Sequence, residues 1–159
     1  MNVNESPKLS ISEALAEKIR QHGAETYPHE CCGALLGRDA GTSDDRIAPR
    51  EVLDCLPLVN RRDDSPNNRF SIAPVDVIAA DRAAQAQGMD LIGWYHSHPD
   101  HPAAPSEFDR SHAWPWFSYI IVRIQEGVPK EMTSWRLNDD RKKYSQETIE
   151  IHSEATAQS

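Results

Sequence analysis

The segment richest in reactive side chains runs His96-Ser97-His98-Pro99-Asp100-His101-Pro102-Ala103-Ala104-Pro105-Ser106-Glu107-Phe108-Asp109. It continues the apolar run Leu91-Ile92-Gly93-Trp94-Tyr95, which reads as a strand. Residues two apart on a strand share a face, so His96 and His98 present two imidazoles side by side at the strand's end. Asp109, near the start of a helix expected from Ser106 to about Ala113, can add a carboxylate oxygen. A catalytic zinc site uses three protein ligands and leaves a fourth position open. Two imidazoles and a carboxylate suit zinc better than calcium or magnesium, which prefer all-oxygen shells. The plainer alternatives are partly exposed structural histidines and an ordinary helix cap. In the cap, Ser106 accepts a backbone N–H and Asp109 benefits from the helix dipole. Cap and chemistry are compatible, because a cap fixes where both side chains point. Pro99, Pro102 and Pro105 restrict the loop and reduce the entropy lost in holding ligands from two elements together.

This arrangement resembles the JAMM motif of the JAB1/MPN metalloprotease family: His-Ser-His-Pro, then a Ser-x-x-Asp in which seven residues separate His98 from Ser106. The family's other element, a glutamate just before the first strand and usually followed by Cys-Gly, is matched by Pro28-His29-Glu30-Cys31-Cys32-Gly33. The resemblance spans about Leu9 to Leu137. It implies a single α/β mixed domain over residues 9–138 with the JAB1/MPN (cytidine-deaminase-like) fold, a curved mixed β-sheet flanked by helices. Residues 1–8 and 139–159 are then terminal extensions. It also implies that His96, His98 and Asp109 bind Zn2+, with water as fourth ligand. Glu30 becomes the general base, and Ser106 a donor to the carbonyl oxygen as it turns negative. The implied activity is hydrolysis of a peptide, isopeptide or amino-acid bond at the C-terminal glycine tail of a ubiquitin-like or sulfur-carrier protein. Without the family context, Glu30 reads as a solvated loop residue. The alternative within the family is a noncatalytic scaffold or binding module, which typically lacks a ligand that this sequence keeps. A zinc deaminase needs a Cys-x-x-Cys, which is missing here.

The elements that must hold these residues are legible in outline. Ser10 and Glu13 have capping-box spacing, and Ile11, Leu15 and Ile19 follow at helical intervals, predicting a first helix from there. Cys32 to Gly37 reads as a buried strand and Arg38 to Pro49 as a loop. Glu51 to Val59 is a strand whose Pro57 suggests an edge or bulge, and Phe70-Ser71-Ile72 is another short strand. Pro74 opens a helix that Gly88 ends. Tyr119 to Val122 and Met132 to Leu137 are strands, and the chain is expected to be loose beyond Glu150. The charged stretch Arg61 to Asn68 is a candidate gate over the site.

Composition bounds the rest. The 159 residues carry 17 Lys+Arg against 25 Asp+Glu, a formal charge of −8, which disfavours a nucleic-acid partner. No apolar run approaches the roughly 20 residues of a membrane helix and the start lacks signal-peptide regions, so a cytoplasmic protein with no membrane partner is expected. Three cysteines, two of them the adjacent Cys31 and Cys32, suit a reducing compartment and a packing role. Among the extra histidines, His101 reads as an exposed bystander and His112 as a neighbour of the ligands. His29 should point away from Glu30. Trp94, Trp114, Trp116 and Trp135 read as core or site-wall aromatics.

Overall fold

The structure, a computed structural model, describes residues 8–39, 50–59, 72–107, 109 and 113–153. Among them are seven strands and two helices: β1 (Lys8–Ser12), α1 (Glu13–Thr26), β2 (Cys32–Asp39), β3 (Arg50–Leu58), α2 (Pro74–Ala86), β4 (Asp90–Pro99), β5 (Ser118–Gln125), β6 (Val128–Leu137) and β7 (Tyr144–His152). The strands lie in the order β1-β3-β2-β4-β5-β6-β7 and close into a barrel, because β1 also pairs with β7. The sheet is mixed: β1 is parallel to both its neighbours and β4 is parallel to β5, while the other pairs are antiparallel. The expected α/β mixed architecture, a curved mixed sheet flanked by helices, is present, and the curvature goes as far as closure.

Helix α1 lies against the concave side, touching β1 and β3 to β7. It buries Ala16, Ile19 and Gly23, one face at helical spacing, into a core with Leu9, Ile11, Leu35, Ile92, Tyr95, Ile120 and Ile124. Helix α2 covers β2 and β4 from the other side, where Ala80 and Ala84 meet Ala34, Leu36, Trp94 and Tyr119. Strand β4 therefore lies between two apolar layers, and nine of its ten residues are buried, as a central strand requires.

Four expectations change. The first helix starts later: Lys8–Ser12 is a strand, and Ser12, not Ser10, is the N-cap, its hydroxyl accepting the Leu15 N–H at 3.2 Å. Pairing to β3 and β7 outweighs the local capping-box signal at Ser10. Arg38 and Asp39, expected in a loop, extend β2 through pairing with Glu51 and Arg50. Ile72 stands in irregular backbone before α2, while Phe70 and Ser71 lie outside the described residues. Ile151 and His152, expected to be loose, pair with Ile11 and Ser12, while residues 154–159 lie outside the described residues. Of the edge or bulge expected at Pro57, the edge is present, since β1 pairs with β3 only at Arg50 and Glu51; Pro57 itself pairs regularly with Gly33, and the register shift in β3 falls earlier, between Val52 and Asp54. The loop 61–68 lies outside the described residues, as does His112.

Candidate metal centre

His96 and His98 leave the end of β4 on one face, alternating with Tyr95 and Ser97. Their Nε2 atoms stand 3.2 Å apart. Asp109 Oδ2 lies 3.4 Å from the first and 3.2 Å from the second. All three side chains are buried, and one donor atom from each lies within 4.8 Å of the others. Among the described residues this is the one group of three or more His, Cys, Asp or Glu side chains arranged to hold a metal ion. Two ring nitrogens and a carboxylate oxygen gathered this closely form a donor set that a single cation could bridge.

The loop between them is anchored at several places. His98 Nδ1 donates to the Pro102 carbonyl at 2.7 Å. The carbonyl can only accept, so the bond puts the ring proton on Nδ1 and leaves Nε2 for a metal. Thr133 Oγ1 donates to the Ala103 carbonyl at 2.6 Å and itself accepts the Trp135 indole N–H at 2.8 Å. Glu107 and Asp109 take helical backbone, preceded by a reciprocal cap: Ser106 N–H donates to Asp109 Oδ2 at 2.9 Å, and Asp109 N–H to Ser106 Oγ at 3.0 Å. The cap and the ligand are thus the same side chain, and Ser106 orients the carboxylate while standing exposed itself.

Glu30 lies two residues before the start of β2 and is only 3% exposed, unlike a solvated loop glutamate. Its neighbour His29 is exposed. Burial pushes the Glu30 carboxyl up to about 8; the His98 ring pulls it back down and the Asp109 charge adds to the rise. Burial lowers His96 despite the nearby carboxylate, keeping it in the neutral form that binds metals. For His98 burial also opposes the charged form, but bonding to Asp109 and Pro102 outweighs it and the ring is raised. Asp109 is held well below the usual carboxylate range: burial alone would raise it, and the two imidazoles reverse the sign.

Sequence reasoning missed the residue that joins these two halves. Ser97, between the histidines, accepts the Cys31 N–H on its hydroxyl at 2.9 Å, and its own N–H donates to the Cys31 carbonyl at 3.2 Å. The Cys-Gly after Glu30 also has a physical reason: a Cβ at Gly33 would stand 2.2 Å from the Tyr95 ring. Cys31, Cys32 and Cys55 are buried free thiols, and burial pushes Cys31 up to about 12, which suits packing and not nucleophilic attack. Glu30 borders a cleft of about 660 Å³ lined with His22, Glu25, Tyr27, His29, Leu58 and Val59. His101 is exposed, its ring 5.8 Å from that of His98. Trp94 is core, as expected, while Trp114 and Trp116 stand 50% and 49% exposed.

Residues 12–138 match the family model described as prokaryotic homologs of the JAB domain. A desampylase of Haloferax volcanii is 32% identical over 121 residues, covering 73% of this chain and 81% of the relative. A probable TtuB-protein conjugate cleaving protease of Thermus thermophilus is 32% identical over 113 residues, covering 71% and 68%. The solution structure of a protein from Desulfitobacterium hafniense superposes with a TM-score of 0.76 at 30% identity, covering 92% of this chain and 94% of the other. With the match running from the N-cap of α1 to the end of β6, through Glu30 and all three metal-site residues, the chain belongs to the JAB1/MPN family as one of its prokaryotic JAB domains.

Proposed function

We propose that this chain is a zinc-dependent peptidase that cleaves a peptide, isopeptide or amino-acid bond at the C-terminal glycine tail of a ubiquitin-like or sulfur-carrier protein. The observation that carries the reading is the convergence of His96, His98 and Asp109 donor atoms within 4.8 Å, with a buried glutamate brought beside them. The names of two relatives, a desampylase and a probable TtuB-protein conjugate cleaving protease, support the substrate class. The three buried free thiols accord with a cytoplasmic setting.

The donor set fits zinc: two borderline nitrogens and one hard oxygen, with no all-oxygen shell. His96 and His98 would bind through Nε2 and Asp109 through a carboxylate oxygen. When bound, zinc supplies Lewis acidity, polarising the scissile carbonyl and acidifying a water. The residues do the rest. Glu30, in its ionised form, takes a proton from the attacking water and returns it to the leaving amine, for which a carboxyl poised near neutrality is suited. Ser106 spends one lone pair on the Asp109 N–H, and its hydroxyl hydrogen remains available to the substrate carbonyl oxygen as charge develops there. Pro102 and the Ser106 cap keep His98 and Asp109 oriented through the cycle.

Elemental analysis of the purified protein beside Asp109→Ala tests the metal, and cleavage of a ubiquitin-like protein bearing a lysine peptide on its C-terminal glycine tests the reaction. About one zinc per wild-type chain, little in the variant and cleavage by the wild type alone are expected. No metal in either after zinc is supplied overturns the reading. Glu30→Gln should keep its zinc and lose hydrolysis by roughly 10²–10⁴-fold.

A further inference from the structure

We propose that Tyr27 and Asp100 form a clamp that positions Glu30 against the metal centre, an inference that rests on the hydrolytic reading above. The Tyr27 hydroxyl donates to Asp100 Oδ2 at 2.6 Å, the short distance of a phenol bound to a charged carboxylate. The other oxygen, Oδ1, accepts the Glu126 N–H at 2.8 Å, and the Asp100 N–H donates to the Ile124 carbonyl at 2.7 Å. One residue therefore ties together the loop leading to Glu30, the end of β4 and the β5–β6 turn. Tyr27 also packs on the concave core, and its ring stands beside Gly127 of that turn.

Position along the chain makes this more than a surface contact. Tyr27 lies three residues before Glu30, and Cys31 one residue after it; Asp100 lies two residues after His98, and Ser97 one before it. The bonds Tyr27–Asp100 and Cys31–Ser97 bracket the base on one strand of contact and a ligand on the other. The loop between them is closed on itself, His29 N–H donating to the Thr26 carbonyl at 2.8 Å and Thr26 Oγ1 to the His29 carbonyl at 3.1 Å, so it moves as one unit, and the two outer bonds fix how that unit sits on β4. Asp100 has φ +60°, a conformation that glycine adopts freely and that aspartate is among the few other residues to enter. Both partners are exposed at their tips, where a single polar bond contributes little to global stability, so its consequence is local order.

Tyr27 and Asp100 are positioning residues under this proposal, since neither touches the ligand set. The test uses the purified full chain as wild type, Asp100→Gly and Tyr27→Phe. Asp100→Gly relaxes the φ of +60° but removes, with the clamp, the bond from Glu126 N–H to Oδ1; Tyr27→Phe keeps the ring packing and removes only the hydroxyl, so it decides where the two variants differ. Amide exchange at Glu30 and Cys31 should become severalfold faster in both variants, with melting temperature and bound zinc unchanged. On the C-terminal lysine-peptide substrate, kcat should fall roughly tenfold to hundredfold, the scale of about 1 Å of misplacement, with KM unmoved. A merely structural role predicts the reverse pattern, lowered melting in Tyr27→Phe and a neutral or improved Asp100→Gly. Wild-type exchange rates in both variants overturn the clamp, and so do wild-type kcat values. Should the wild-type protein cleave no such substrate, the hydrolytic reading fails, and exchange alone decides the clamp.

Discussion

Ser97 Oγ and the backbone N–H of Cys31 stand 2.9 Å apart, and the reverse bond from Ser97 N–H to the Cys31 carbonyl closes a two-bond ring between β4 and the residue that follows Glu30. Both residues are buried. Ser97→Ala removes the acceptor and leaves a buried N–H unpaired, at a cost of about 1–3 kcal/mol. For a chain of this size that is a melting temperature lower by roughly 2–10 °C. Zinc should remain bound, because no metal donor is lost. Calorimetry and elemental analysis of the same sample check both halves; an unchanged melting temperature would contradict the role given to Ser97.

The raised Glu30 carboxyl has a definite consequence for the metal-free protein. Its ordinary value is 4.5 and the folded value about 8, so between these the folded state holds a proton that the unfolded state has released. Stability then falls as pH rises through that window, by up to about 1.4 kcal/mol per pH unit, and levels off above it. His98, also raised, adds in the same direction, and His96, lowered, opposes it. Glu30→Gln removes only the glutamate's contribution. Denaturant melts of chelator-treated wild type and Glu30→Gln from pH 5 to 9 should therefore diverge, the wild type losing stability relative to the variant as pH rises. Parallel curves would contradict the burial argument.

The site was more legible in the sequence than the fold that carries it. His96, His98, Ser106 and Asp109 lie within one short segment, and strand and cap periodicities place them locally. Glu30 required the motif context, because its proximity to His98 is long-range. Two strands escaped notice. β7 alternates mostly exposed polar residues, with Glu147 its one buried position, and β1 is five residues long and runs straight into α1. In β1 the alternation of buried Leu9 and Ile11 is too short to stand out, and Ile11 also fits the helical spacing of Leu15 and Ile19; yet the two strands make the pairing that closes the barrel. Ser97 and Asp100 were visible as letters, but their partners lie 66 and 73 residues away, and no local spacing encodes such contacts.

Gly93 marks a close approach of β4 to β5. A Cβ there would stand 2.1 Å from the backbone carbonyl oxygen of Ser118, its partner on β5. Backbone cannot swing aside as a side chain can. The Ser118 hydroxyl is also pinned, accepting from the buried Arg50 guanidinium at 2.8 Å. Gly93→Ala should force β4 and β5 apart three residues before His96, costing about 3 kcal/mol or more. Gly88→Ala is the contrast: its Cβ meets nothing within 4 Å, and the loss there comes only from a φ of +71°. Urea unfolding of both variants should rank Gly93→Ala as the more destabilised; the opposite order would mean that β4 and β5 can separate without strain.

Removing metal should cost stability through the ligands and not through Glu30. A cation that binds the folded state and not the unfolded one stabilises by RT ln(1 + [L]/Kd), about 2.7 kcal/mol at a hundredfold excess over Kd. Bound cation also relieves the crowding of His96 Nε2 and His98 Nε2, 3.2 Å apart beside one carboxylate oxygen. Zinc should therefore raise the melting temperature of the chelated wild type by several degrees, and chelator should reverse the gain. Asp109→Asn removes the charge that holds both imidazoles and should abolish most of the zinc response. It also removes the negative group that favours a protonated His98, so its metal-free form should lose the contribution that this pairing makes at low pH. Glu30→Gln, which removes no ligand, should respond to zinc as the wild type does. A zinc response that survives Asp109→Asn but disappears in Glu30→Gln would place the metal on the other side of the site and overturn the ligand assignment.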